Sequence, residues 1–205
     1  MEADQPQRLQ KLLASCGIAS RRIVEQMITA KRIKVNGEIA NLGDKASISD
    51  EIKLDDVSVP LAVDLEWYLL NKPTNVLSSA SDDRGRKTVV DLIDTDTRIF
   101  PIGRLDINTT GLIILTNDGE LTNLMTHPKY GVEKTYVVRV EGHVQNAQID
   151  ELISGVELDD GKTAPAKVKV VARKSTQSVL EITIHEGKNR QIRRMATAIG
   201  HEVIS

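Results

Sequence analysis

The sequence predicts an α+β protein: a small unit of two helices and a hairpin, followed by a larger unit with a mixed, mainly antiparallel sheet flanked by helices. Three observations carry this. Formal charge reverses sign at about residue 38, Pro60 interrupts a weakly patterned stretch, and from Trp67 onward period-two alternation dominates without the regular spacing of a doubly wound fold. With 205 residues, 40% apolar and 27% charged, the chain can bury a sizeable core and fits neither a disordered nor a transmembrane class.

The first unit is basic. Between residues 8 and 38 Arg8, Lys11, Arg21, Arg22, Lys31, Arg32 and Lys34 face only Glu25 and Glu38, whereas between residues 39 and 66 seven acidic residues face Lys45 and Lys53. Leu9, Leu12, Leu13 and Cys16 recur at helical spacing and Gly17 can stop the helix. Ser20 then caps a second helix carrying Ile23, Val24, Met27 and Ile28. Asn36-Gly37 inside IKVNGEI predicts a hairpin, and DEIKLD supplies another strand with Ile52 and Leu54 on one face. The Pro60-containing stretch 57–65 reads as a linker, dividing a domain at 8–56 from one at 66–205.

In the second unit WYLLNKP reads as a buried strand and GLIILTND as another, followed by a short helix GELTNLMTH that ends before Pro128. KTYVVRVEG alternates as a strand. NAQIDELISG is an amphipathic helix with Ile149, Leu152 and Ile153 inward, AKVKVVARK and SVLEITIHEG read as paired antiparallel strands, and NRQIRRMATAIG closes with a helix and a glycine cap.

Bulk composition excludes more than it suggests. A net charge of -2 does not announce a nucleic-acid partner, and with Trp67, Tyr68, Phe100, Tyr130 and Tyr136 as the whole aromatic complement, stacking platforms cannot be spread over the surface. One cysteine, Cys16, allows no internal disulfide and suits a reducing cytosol. His127, His143, His185 and His201 lack metal-ligand spacing, so no metal site is expected. MEADQPQ is short and acidic with no apolar region after it, so no targeting segment is expected.

Chemistry concentrates in FPIGRLDINTTGLIILTNDGEL. A strand-breaking Gly103 and the following turn put Asp106 on a loop held by a strongly apolar strand, the placement by which scaffolds present reactive groups. The plain alternative is a turn-forming Asp bonded to the amides of Asn108 or Thr109. GRLDINTTGL, however, resembles the G-R-L-D signature of the pseudouridine synthases that modify ribosomal RNA and carry an N-terminal S4 domain. The resemblance extends over nearly the whole chain: residues 8–46 resemble an S4 RNA-binding domain, LLNKPTNVLSS the family's K-P-x-G segment with Asn75 where glycine is usual, THPKYGVEKTYVVRV its K-x-Y strand, and EGKNRQIRRMATAIGHEV its last helix.

The resemblance implies isomerisation of a uridine to pseudouridine without a cofactor. Asp106 maps to the family nucleophile, a carboxylate that attacks either C1′ or the base. Tyr136 maps to the active-site tyrosine, able to stack on the displaced uracil and, despite an ordinary pKa near ~10, to take the C5 proton directly or through water. Lys188 maps to the cation that holds the charge and orientation of the nucleophile, acting as a point charge where other members use Arg. Arg104 either fills the space left by a flipped base or braces its loop by an ion pair. Arg190, Arg193 and Arg194 fall at i, i+3 and i+4 and give a basic helix face suited to phosphates.

Arg8, Arg21, Arg22, Lys31, Arg32 and Lys34 are read as the RNA contacts of the S4 unit, working by phosphate and shape. The resemblance therefore implies ribosomal RNA as partner, with the large subunit favoured by the catalytic pattern and the LGDK segment and the small subunit as the alternative. It also implies a cytoplasmic monomer without membrane contact. Family members continue for some tens of residues past the equivalent of GHEVIS, which implies a catalytic domain incomplete at its C-terminus. The alternative from another class is a non-catalytic RNA-binding or ribosome-assembly protein. A hydrolase built on Asp106 lacks a second suitably spaced carboxylate.

Overall fold

The computed structural model describes residues 5–205, so residues 1–4 of the acidic N-terminal stretch lie outside the described range. The chain divides into two compact units. The first contains the residues up to Leu70 together with Ser79–Ile102 and Leu112–Glu120; the second contains Asn71–Ser78, Gly103–Gly111 and Leu121–Ser205.

The first unit begins with β1 (Gln7–Arg8), α1 (Leu9–Ser15) and α2 (Arg21–Thr29), then β2 (Ile33–Val35), β3 (Glu38–Ile39), β4 (Lys45–Ala46), β5 (Ile52–Leu54) and β6 (Val57–Ser58). Leu9, Leu12 and Leu13 of α1 and Val24 and Ile28 of α2 are buried, together with Ile33, Ala46 and Ile52, as their spacing predicts. The Ser20 side chain accepts the Ile23 amide at 3.3 Å, a capping bond that holds the first turn of α2. Asn36 and Gly37 both take positive φ, the twist a two-residue hairpin needs between β2 and β3. Two details differ from the sequence reading. Val57 and Ser58, read as the start of a linker, pair with β5 as β6, and Gln7–Arg8 pairs with Lys45–Ala46, a two-residue ladder too short to leave a periodic signal.

Strands β7 (Trp67–Lys72), β8 (Phe100–Ile102) and β9 (Gly111–Thr116) form a sheet in the order β7-β9-β8. The expectation of a buried β7 is corrected. As an edge strand it alternates, with Trp67 54% and Leu69 68% exposed while Lys72 is fully buried.

The larger second-unit core lies between a three-stranded antiparallel sheet and its helices. After α3 (Gly119–Thr126) come β10 (Lys134–Glu141), α4 (Asn146–Ser154), β11 (Lys167–Arg173), β12 (Gln177–Ile184) and α5 (Gln191–Ala198), with sheet order β10-β12-β11. Val138, Val140, Leu180 and Ile182 pack with Leu152 of α4 and Met195 of α5. Ile149 and Leu152 face inward as predicted, but Ile153 is 40% exposed, on the rim of the narrow apolar stripe of this nine-residue helix. Gly200 follows the end of α5 at φ +84, in keeping with the predicted glycine cap. Among the described residues, no helix is long and apolar enough to cross a membrane.

Candidate active site

Asp106 sits on a loop pinned at several points by the segment that follows β7. The Ser78 hydroxyl donates to the Leu105 carbonyl at 2.8 Å and accepts the Leu105 amide at 3.1 Å. Asn75 adopts φ +61, the conformation a glycine usually supplies, and its amide donates to the Ile107 carbonyl at 2.8 Å. The fully buried Lys72 ammonium donates to the carbonyls of Pro73 (2.9 Å), Ile107 (3.3 Å) and Thr109 (2.9 Å). Burial pushes the Lys72 ammonium below its usual pKa, and the negative charge of Asp106 pushes it back up. The turn itself closes through the Asp106 carbonyl, which accepts the Thr109 amide at 3.0 Å. The carboxylate is therefore not consumed in making the turn.

That carboxylate opens into a cleft of about 450 Å³ whose walls include Arg104, Tyr136, Lys188, Arg190 and Arg193. Tyr136 lies on β10 opposite Ile182 of β12 and packs on the core. Burial first, and the Asp106 charge second, push its phenol above the ordinary value, so at neutral pH it is a hydroxyl donor and a ring surface rather than a ready base. The cation facing Asp106 is Arg193 of α5, whose Nε stands 3.6 Å from Oδ2.

A pinned loop, a strand and a helix thus bring the Asp106 carboxylate and Tyr136, both expected from the resemblance, to one pocket with Arg193, which was expected only as an RNA contact. The model of the RNA pseudouridylate synthase family matches residues 66–198, and that of the S4 domain residues 7–52. The chain belongs to the RNA pseudouridylate synthases. It is 48% identical over 202 residues to ribosomal large subunit pseudouridine synthase B of Bacillus subtilis (strain 168), covering 97% of this chain and 82% of that protein. It is 41% identical over 201 residues to an RNA pseudouridine synthase of Aquifex aeolicus (strain VF5), covering 96% and 80%. A solved pseudouridylate synthase structure matches with a TM-score of 0.68 at 30% identity, over 97% of this chain and 85% of that one. The α+β class, with an S4 domain ahead of a synthase domain, is thereby established.

Within this synthase the basic residues of the last motif divide three ways. Lys188 lines the cleft, but its ammonium donates to the carbonyls of Asp160 (3.3 Å), Gly161 (2.6 Å) and Lys162 (3.2 Å), so the cation expected at Asp106 is supplied by Arg193 instead. Arg194 pairs with Asp159 and Asp160, and Arg190 occupies the N-cap of α5 with a left-handed backbone. The three arginines border one shallow cavity together, but Arg193 and Arg194 face different carboxylates. Helical spacing alone could not show that the loop 159–162 arrives beside two of the basic side chains. Arg104 is exposed at the rim.

In the S4 domain the acidic stretch folds back on the basic one. Arg32 makes a two-pronged pair with Asp55, Lys34 pairs with Asp56 at 2.6 Å, Lys31 donates to Asn41 at 2.8 Å, and Arg8 donates to the Gly43 carbonyl at 2.9 Å. Arg21 and Arg22 stand exposed on the first turn of α2, where the helix dipole disfavours cations.

Sequence reasoning missed Lys72, and it named Arg193 without its place beside Asp106. Lys72 left a signal, a single lysine in the inward register of an alternating strand just before a proline. Arg193 left none that distinguishes it from Arg190 and Arg194.

Proposed function

We propose that this synthase converts a specific uridine of large-subunit ribosomal RNA to pseudouridine, with Asp106 as the nucleophile. The observation that carries the reading is the Asp106 carboxylate on its pinned loop, facing Arg193 across a cleft lined by Tyr136. The Bacillus subtilis relative is a ribosomal large subunit pseudouridine synthase, which supports the large-subunit reading made from the LGDK segment. The C1′–N1 bond breaks, the uracil turns, C5 joins C1′, and the C5 proton leaves as N1 gains one. The reaction is redox neutral, and we assign it no cofactor.

A nucleophile that need not be pulled from a hydrogen-bonded turn is ready to attack, and a fixed arginine stabilises its charge while water is excluded by the RNA. Tyr136 gives the displaced base a ring to lie against and a hydroxyl to bond. The C5 proton reaches solvent through water rather than by a tyrosinate, since a phenol with a raised pKa is a poor acceptor. Arg104, exposed beside the nucleophile, fills the stack vacated by the flipped nucleotide. We assign RNA binding to residues 8–56, with β6 closing its sheet, a linker to 59–65 and catalysis to 66–205, in a cytoplasmic monomer. Arg21 and Arg22 are the leading phosphate contacts of the first domain.

The test is Asp106→Asn assayed by tritium release from a large-subunit transcript labelled at uridine C5. Release falls to background while transcript binding stays within a few-fold of the parent. Turnover by the variant overturns the assignment of the nucleophile.

A further inference from the structure

The segment that carries Arg193 is fastened at both ends to one loop. At its start the Lys188 ammonium is surrounded by the carbonyls of Asp160, Gly161 and Lys162 and by Asp160 Oδ1 at 3.5 Å. At its end the Arg194 guanidinium engages both oxygens of Asp160, NH1 to Oδ2 at 3.1 Å, and also Asp159 Oδ1. A single residue, Asp160, thus meets both cations, one with its backbone and carboxylate and the other with its carboxylate.

The loop on the other side of this contact is itself stiff. The Thr163 amide donates to the Val156 carbonyl at 2.9 Å, and the Thr163 hydroxyl accepts the Val156 amide at 3.0 Å. Gly155 takes φ +85, and a Cβ there would lie 2.3 Å from the Thr163 carbonyl oxygen, so the approach of the two backbones requires glycine. Glu186 adds a third tie, accepting the Ala164 amide at 3.1 Å and the Gln191 side-chain amide.

Between the two fastened ends the backbone is unfavourable. Arg190 sits at φ +48 without a glycine's freedom, a conformation that persists only where the surroundings over-determine it. Lys188 N–H to Gln191 Oε1 at 2.9 Å and Arg194 NH1 to the Asn189 carbonyl at 3.1 Å complete that enforcement. Arg193 is flanked by these ties, and its separation of 3.6 Å from Asp106 is long enough that a small rotation of α5 would lose it.

We propose that Asp160 is a positioning residue for the isomerisation: by anchoring Lys188 and Arg194 it fixes the start of α5 so that Arg193 faces the Asp106 carboxylate. The inference rests on the reading of Asp106 as nucleophile. Lys188 and Arg194 then serve the site from behind, as parts of a brace, and do not contact RNA phosphates.

The experiment compares Asp160→Asn, Asp160→Glu and Arg193→Lys, singly and with Asp160→Asn and Arg193→Lys combined, using the tritium-labelled transcript. Asp160→Asn lowers kcat about ten- to a hundredfold with KM within about threefold, the scale of a misplaced catalytic group. Asp160→Glu recovers most of the loss. In the Arg193→Lys background Asp160→Asn adds little, because both changes act on one contact.

Unchanged kcat in a folded Asp160→Asn protein overturns the inference. So does a tighter KM at unchanged kcat, which would mean that Asp160 restrains cations meant for RNA, and so does full additivity with Arg193→Lys. If Asp160→Asn does not fold, Arg194→Gln removes the same anchor from the other side and carries the same expectation. Asp106→Asn, run alongside, separates the two readings. If it is active the nucleophile assignment fails, whereas if it is inactive while Asp160→Asn turns over normally, only the positioning role fails.

Discussion

Arg193 Nε stands 3.6 Å from Asp106 Oδ2, with the arginine side chain 25% and the carboxylate side chain 33% exposed. A pair half withdrawn from water interacts more strongly than one on the open surface, and an incoming RNA strand would remove the remaining solvent. Arg193 NH1 also donates to the Val203 carbonyl at 3.4 Å, which limits the guanidinium to one side of the cleft.

Arg193→Ala therefore lowers kcat about 10²-fold, the usual effect of deleting one fixed electrostatic partner of a reacting group. Arg193→Lys retains part of the rate because charge survives while the planar fork does not. Single-turnover tritium release checks this, and equal rates for the alanine variant and the parent would remove Arg193 from the reaction.

Lys72 acts one layer further back, through the Pro73, Ile107 and Thr109 carbonyls. Lys72→Met keeps length and apolar stem but takes the donor from the Pro73, Ile107 and Thr109 carbonyls, at a cost of about 1 to 2 kcal/mol. Urea denaturation should record that loss at unchanged m-value, and kcat should fall with it as the loop bearing Asp106 loosens. A variant as stable as the parent would mean that water takes over the three bonds.

These two residues mark where the sequence is readable and where it stops. Periodicity and caps located the helices of the S4 domain, the Asn36-Gly37 hairpin and the β10, β11 and β12 strands, because each depends on neighbours within a few residues. Asp106 and Tyr136 were identifiable by their motifs, and the fold brings them to one cleft. Arg193 was not separable from its neighbours, since which basic side chain meets Asp106 depends on how residues 159–162 occupy Lys188 and Arg194, a long-range contact with no local pattern. The exposed face of β7 was hidden for the same reason: strand composition reports apolar character, while sheet order decides which side is covered.

The S4 domain yields a salt experiment. With Arg32 and Lys34 paired to Asp55 and Asp56, the proposed phosphate contact falls mainly on the exposed Arg21 and Arg22. Replacing both with Ala should reduce the slope of log K against log salt for a ribosomal RNA transcript by about 1 to 2, with kcat on bound RNA unaltered. A slope that matches the parent would assign the contacts elsewhere.

Asp160 also leaves a mark on acid stability. The hydrogen bonds from Arg194 are the main reason its carboxyl is held down to about 2 against an ordinary 3.8, with the charges of Arg194 and Lys188 adding to them and burial opposing them. A carboxyl whose folded pKa lies below its unfolded value stabilises the fold above the unfolded value and loses that contribution as pH falls through the folded one, here between about pH 4 and 2. Asp160→Asn has no such contribution to lose. Calorimetric melts should therefore show the parent above the variant by a constant margin at pH 5 and higher, with the margin shrinking toward zero as pH is lowered to about 2. Other acidic groups titrating in that range are common to both proteins and cancel in the difference. A margin that persists unchanged to the acid end would mean that the charge of Asp160 is not what separates the two proteins.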